Sequence, residues 1–176
     1  MFSLDFYRMT GRKPGLSARN VAEFFLQHRL RYVWLLRNYQ KKPNPVIRFC
    51  LYCYAKRYGL EISPDAQIGE GLYLGHPHNI TVAPGAVLGR NVNLHKGCTI
   101  GRENRGRRVG VPIIGSGVYI GIHSTVVGNI TIGDDVMIAP NSFVNFDVPA
   151  HSVVVGNPGV IHPREHATDG YVCHLV

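Results

Sequence analysis

The sequence predicts a mainly β fold, a parallel β-helix of hexapeptide repeats preceded by a short helical segment. Two observations carry this. An aliphatic residue recurs every six positions at Ile62, Ile68 and Leu74, then after a two-residue slip at Val82, Leu88, Leu94 and Ile100. After a longer interruption the pattern resumes at Ile114, Ile120, Val126, Ile132, Ile138 and Val144. A helix needs apolar residues at a spacing of about 3.6 and a one-faced strand at about 2, so a period of six fits neither. Second, glycines directly follow the inward aliphatics at Gly69, Gly75, Gly89, Gly101, Gly115, Gly121 and Gly133, where a chain that turns a corner needs close backbone approach. Three hexads close one triangular coil, and stacked coils bury a continuous aliphatic prism that no single repeat could form.

Taken from the N-terminus, residues 1–60 read as a basic, aromatic-rich helical segment, 61–160 as the β-helix and 161–176 as a C-terminal tail. The first segment suggests two helices, Ser17–Gln40 and Pro45–Tyr58, with Ser17 as N-cap and Lys42-Pro43-Asn44-Pro45 as the breaker between them. It holds twelve lysines and arginines against two acids, Asp5 and Glu23, whereas residues 61–176 hold seven against nine. Its aromatics (Phe24, Phe25, Tyr32, Trp34, Tyr39, Phe49, Tyr52, Tyr54, Tyr58) are expected to cap the open edge of the solenoid. Contact of the same basic helices with an anionic membrane surface is compatible with that.

Composition excludes several classes. No apolar run is long enough to cross a membrane, and the N-terminus lacks the basic–apolar–small pattern of a secretory signal. The expected location is the cytoplasm, with the inner face of the membrane as a variant. Nucleic acid is not an expected partner, since no recognisable binding fold or basic strip with stacking aromatics is visible. Of the four cysteines, Cys50 and Cys53 form a single CxxC in a helical stretch, without a second pair to complete a zinc site, so packing is the expected role.

Chemistry is expected where the hexad pattern breaks. Gly75-His76-Pro77-His78-Asn79 places two imidazoles just before the two-residue slip. One coil later Leu94 stacks on Leu74, bringing Lys96 over His76 with His95 beside it. The third break is the long polar insert between Ile100 and Ile114, with Arg102, Arg105, Arg107 and Arg108, a set suited to phosphates, carboxylates or another anionic acceptor.

From about Tyr58 to Pro158 the chain resembles the serine acetyltransferase branch of the left-handed β-helix (hexapeptide-repeat) acyltransferases. The residues that carry the resemblance are Glu61-Ile62-Ser63-Pro64-Asp65-Ala66-Gln67-Ile68-Gly69, Leu74-Gly75-His76, the two-residue slip, the length of the insert, Val126-Val127-Gly128-Asn129-Ile130 and Val155-Gly156-Asn157-Pro158. The resemblance implies acetyl transfer from acetyl-CoA, as co-substrate and without a metal, to a hydroxyl, by a homotrimer with active sites between subunits. It implies that His76 is the general base and that Glu61 orients it, where serine acetyltransferases carry Asp. An imidazole with an ordinary pKa of about 6.5 can take the proton of an alcohol as the alcohol attacks a thioester carbon.

The departures shape the acceptor. Serine acetyltransferases have a second His, preceded by Arg, before the proline that ends the insert; here that place reads Gly110-Val111-Pro112. The N-terminal segment is also shorter than theirs. A basic, aromatic N-terminus and a loop without that His look more like the O-acetyltransferases of bacterial surface-polysaccharide assembly, so a sugar acceptor is the expectation and serine the alternative. Candidate acceptor-binding residues are His78, His95, Lys96, Arg105, Arg107 and Arg108. Candidates for the acetyl-CoA arm are Gly121 and Ala139, which follow inward aliphatics on the face of His76, with Arg164 for a phosphate. Two other classes stay open: a β-helix carbonic anhydrase with His76, His78 and His95 as zinc ligands, and a non-catalytic solenoid.

Overall fold

The computed structural model describes all residues, Met1–Val176. Four helices, α1 (Phe2–Thr10), α2 (Ala18–Leu26), α3 (His28–Lys41) and α4 (Pro45–Tyr58), precede the solenoid. The coils follow as β1 (Leu60–Ile62), β2 (Gln67–Ile68), β3 (Tyr73–Gly75); β4 (Ile80–Val82), β5 (Val87–Leu88), β6 (Asn93–His95); β7 (Thr99–Gly101), β8 (Ile113–Ile114), β9 (Tyr119–Ile120). β10 (Thr125–Val127), β11 (Thr131–Ile132) and β12 (Val136–Ile138) form the fourth coil, and β13 (Phe143–Val144) and β14 (Ser152–Val155) the fifth, before β15 (Val160–Pro163).

Three parallel sheets result, β1-β4-β7-β10-β13, β2-β5-β8-β11 and β3-β6-β9-β12-β14, with β15 added antiparallel to the last. Val148 completes the fifth coil by bridging Ile132. All thirteen hexad aliphatics point inward, and none is more than 7% exposed. Each such side chain contributes about 1.5–3 kcal/mol of burial relative to exposure, so the register of the whole stack is strongly fixed.

Two corners are built from left-handed residues, each three positions past an inward aliphatic except Asn79, which the two-residue slip sets five past Leu74. Between the second and third sheets they are Gly71, Asn91, Gly117, Asp135 and His151, with φ of 76, 57, 66, 51 and 56°. Between the third and first sheets they are Asn79, Gly97, His123 and Asn141, with φ of 54, 73, 56 and 60°. Asn and Gly suit these places because they tolerate the left-handed region.

The helices cap the open end, as the aromatic content predicts, but through α3 and with polar side chains. Tyr32 Oη receives the Ile62 N–H (3.2 Å) and lies against the Leu60 and Ile62 carbonyls. Gln40 donates to Pro64 and Ala66, and Arg37 to the carbonyls of Ile68 and Gly69 at 2.6 Å. Arg37 is paired with Asp5, fully buried on α1, and Asp5 also accepts the Leu72 N–H at 2.8 Å. The orphan backbone groups of the first coil are thereby satisfied, which a bare sheet edge would leave to another chain.

The expected pair of helices is corrected to four. Ser17 does cap α2, accepting the Asn20 N–H, but the chain breaks at Gln27 (φ −95°, ψ 106°) and restarts as α3. α1 escaped notice because its anchor, the Asp5–Arg37 pair, spans distant positions and leaves no local pattern. The expected breaker acts as read: Asn44 caps α4 through Val46 and Ile47, with Pro45 in its first turn. No helix is long and apolar enough to cross a membrane. Among the cysteines, Cys98 is buried, with burial pushing its thiol up to about 12, whereas Cys53 is exposed, so the packing role fits Cys98 and not Cys53.

Candidate active site

The two extra residues of the first slip sit at the corner between the third and first sheets. Asn79 occupies the regular left-handed place there, so His76 is left-handed in addition to it, with φ of 48°. A left-handed non-glycine residue outside the repeat is a local strain that the surroundings must hold. They do so from two sides. The Asn79 N–H donates to the Tyr58 carbonyl at the end of α4 (2.8 Å). His28, the first residue of α3, donates from Nε2 to the Pro77 carbonyl (3.3 Å). The His28 ring lies flat on Tyr58 (centroids 4.3 Å, interplanar 9°) and edge-on to His78 (5.3 Å). Burial is the largest cause lowering the His28 pKa, opposed by the bond to Pro77 and reinforced by the charges of His78, Arg31 and Arg29.

The braced loop borders a cavity of about 820 Å³ lined by His76, His78, Lys96, His28, Arg29 and Tyr73, among others. His76 and His78 are exposed, and their side chains make no hydrogen bond within the chain. The expected stacking holds: Gly75 pairs with His95, the Lys96 N–H donates to the Gly75 carbonyl (3.0 Å), and Lys96 reaches the same cavity as His76. His28 and Arg29 were missed by sequence reasoning. Their only signal was position, at the break between α2 and α3, where the chain has no repeat to read.

His95 is in the column but not in the cavity. Its ring covers Gly75, where a Cβ would collide with it, and it lies between Tyr73 (6.0 Å) and Tyr119 (4.5 Å). Its Nε2 is buried without a partner, and burial, reinforced by His76, pushes its pKa down to about 4.

Glu61 points outward from β1 opposite Thr81 and lines a separate cavity with Arg48 and Tyr52. No hydrogen bond or ion pair joins it to His76 in one chain. The insert folds as a short loop closed by Glu103 and Gly110, which exchange both backbone bonds (2.9 and 3.0 Å) around a 3₁₀ turn, Gly106–Arg108. Arg108 accepts the Asn129 N–H at its carbonyl (2.8 Å) and approaches Asp147 (3.8 Å), while Arg105 and Arg107 are exposed. This loop lies at the corner between the first and second sheets, so one chain does not bring these arginines to His76.

Gly121 and Ala139 stack on the Gly75–His95 column, two and three coils on from Gly75. The Gly121 N–H donates to the Ile138 carbonyl (2.9 Å) and the Ala139 N–H to that of Val154 (2.8 Å), so both amides are committed to the next coil. A Cβ at Gly121 would lie 2.7 Å from Ile138 O, which accounts for its glycine by packing alone. Arg164 is exposed beyond β15, its N–H bonded to the His151 carbonyl (2.8 Å). No group of three or more His, Cys, Asp and Glu side chains capable of holding a metal ion lies within the chain.

Comparisons with known proteins agree with this architecture. The family model described as bacterial transferase hexapeptide (six repeats) matches residues 112–145. Serine acetyltransferase 2 of Arabidopsis thaliana is 42% identical over 101 residues, 57% of this chain and 31% of that protein. The serine acetyltransferase of Staphylococcus xylosus is 37% identical over 123 residues, 70% of this chain and 57% of that protein. The chain therefore spans well under two thirds of these relatives' length. Among solved structures, Neisseria gonorrhoeae serine acetyltransferase in complex with serine superposes with a TM-score of 0.75 at 28% identity, covering 92% of this chain and 67% of that one. A serine O-acetyltransferase from Brucella melitensis gives 0.76 at 26% identity, covering 93% and 66%. In its hexapeptide repeats and in its fold the chain is similar to serine acetyltransferases, the serine acetyltransferase-like branch of the hexapeptide-repeat β-helix proteins.

Proposed function

We propose that the chain is an acetyl-CoA-dependent O-acetyltransferase whose base is His76 and whose acceptor is serine. The observation that carries the base is the left-handed His76, outside the repeat and braced at the mouth of a cavity that it shares with Lys96. In the reaction the acceptor oxygen bonds to the thioester carbon as His76 takes its proton. The carbon–sulfur bond then breaks, and the CoA thiolate leaves and recovers a proton. The expectation of a sugar acceptor, drawn from Gly110-Val111, is less well supported than serine, since the relatives and neighbours described above are serine acetyltransferases. Glu61 is kept as the carboxylate partner of His76 on the resemblance alone, because the two line different cavities of one chain.

A homotrimer is part of the same proposal. It would offer a route for the arginines of the insert, remote from His76 within one chain, to reach the site of a neighbour. Peripheral membrane contact at the inner face is supported by exposed Phe25, Leu26, Phe49 and Tyr52 on a strongly basic segment; co-sedimentation with anionic but not neutral vesicles checks it.

The deciding experiment follows CoA release from acetyl-CoA on addition of L-serine. Turnover with serine, reduced about 10²–10⁴-fold in His76→Ala, is the expected result. Silence with serine but turnover with a sugar nucleotide or extracted glycan would return the acceptor to the sugar class.

A further inference from the structure

We infer that Arg29, with Lys96, is the anion clamp of the acceptor site, and that the acceptor is a hydroxyl compound bearing a carboxylate or a phosphate. The inference rests on the acetyl-transfer reading and names the substrate class of that site.

The cavity beside His76 contains two fixed positive charges, Arg29 and Lys96, and three imidazoles, and no Asp or Glu lines it. Arg29 is held in place by neutral groups only. Its Nε donates to the Gln27 side chain (2.8 Å), Nη2 to the Met9 carbonyl (3.0 Å) and Nη1 to the Leu74 carbonyl (3.4 Å). Its guanidinium sits 5.5 Å from the centre of the Tyr73 ring. A guanidinium has five N–H donors, so the remaining ones are free while the fork is already oriented. Arg29 is also the second residue of α3, where the helix dipole disfavours a cation, and no acid offsets it. The Lys96 side chain makes no hydrogen bond or ion pair and is exposed, on the opposite side of the His76 loop in sequence.

Two uncompensated cations around a candidate base suit an acceptor anion. An anion bound there would be positioned by the fork of Arg29 and drawn in by Lys96, with its hydroxyl presented to His76. The same cavity offers no counter-ion to an ammonium. An acceptor without an amino group, such as a hydroxy acid or a phosphorylated polyol, therefore fits this chain's lining at least as well as serine. The clamp also gives the N-terminal helices a part in the chemistry, since Arg29 reaches the site from α3.

The test measures CoA release with L-serine, glycerate, glycerol phosphate and glycerol. The preference for anionic over neutral acceptors, taken as the ratio of kcat/KM values, is expected to fall about 10- to 100-fold in Arg29→Gln, mainly through KM. Arg29→Lys should recover part of it. Lys96→Gln, an exposed position without partners, should lower the same ratio by a smaller factor and guards against a folding defect in the Arg29 variants. The winning acceptor separates carboxylate from phosphate. A ratio unchanged in both Arg29→Gln and Lys96→Gln would overturn the clamp. If no acceptor releases CoA, the acetyl-transfer reading fails, and calorimetric titration with glycerol phosphate still decides the clamp. Binding lost in Arg29→Gln supports it, and equal or absent binding in both proteins overturns it.

Discussion

Three corners of the β-helix carry a left-handed histidine, at His76, His123 and His151, and the surroundings of His76 and His151 are opposite. His151 lies in the regular corner column, and its Nδ1 is 2.9 Å from Asp135. Asp135 in turn accepts from the Ala167 N–H, the Thr168 N–H and the Thr168 hydroxyl, at 3.0, 3.0 and 2.7 Å. Burial alone would raise the pKa of Asp135, but these bonds from Thr168, His151 and Ala167 hold it down to about 2. This His–Asp pair has the look of a catalytic dyad, yet its work is to fasten the C-terminal tail, which then runs back to Asn91 and Asn93. His76 has no carboxylate partner in its own chain, stands outside the regular column and opens on a cavity. A carboxylate–histidine contact is therefore a poor guide to chemistry in this fold. Departure from the repeat is the feature on which the proposed base, His76, rests instead.

The contrast breaks most sharply at His76 itself. Asn tolerates the left-handed region, so His76→Asn keeps the turn and removes the proposed base. Turnover should drop about 10²–10⁴-fold with an unchanged unfolding midpoint. Near-normal activity in this variant would show that the unusual backbone is only a consequence of the slip.

Next comes Asp135→Asn, which should do the reverse. Losing the charge that three donors and His151 share is expected to cost about 2–3 kcal/mol of stability, read from denaturant unfolding, while CoA release stays near wild type. The pH dependence has a definite sign. A carboxylate whose pKa is depressed to about 2 contributes stability that is complete above its ordinary range and is lost as pH falls through that value. Wild type should therefore lose stability on acidification over that window, and the Asn variant should not share this component.

His151→Ala should have a smaller effect, with the opposite pH sign. Its bond to Asp135 raises the His151 pKa above the ordinary 6.5. The stability it brings is present below that value and fades as pH rises through the raised one. Unfolding midpoints compared between about pH 6 and 8 should show this slope in wild type and none in the variant.

How far the sequence reached follows the same line. The hexads carried the β-helix because each inward aliphatic is set by local spacing, and the slip led to the His76 loop for the same reason. What braces that loop was not legible. His28 and Arg29 sit forty-odd positions upstream in helices whose course depends on the non-local Asp5–Arg37 pair. The insert is legible in part: its arginines are conspicuous in sequence, but the corner that carries them, away from His76 within one chain, is fixed by coil geometry rather than by charge.

His95 tests where the boundary of the site falls, with the smallest expected change in turnover. Sequence stacking made it a candidate beside Lys96, and the register is as expected, yet the ring is packed between Tyr73 and Tyr119 with Nε2 buried and unpartnered. A side chain that binds an acceptor must offer it a donor or acceptor atom, and this one offers none to the cavity. His95→Phe preserves the aromatic stack and removes a polar atom that burial leaves unsatisfied, so stability at neutral pH should hold or rise. Because burial depresses the His95 pKa to about 4, its neutral form supports the fold above the ordinary histidine range and becomes a liability as pH falls from about 6.5 towards 4. The Phe variant should therefore lose less stability over that interval, measured as the shift in unfolding midpoint, with CoA release little altered. A loss of turnover comparable to that of His76→Asn would instead place His95 within the acceptor site and extend the active corner one coil along the sheet.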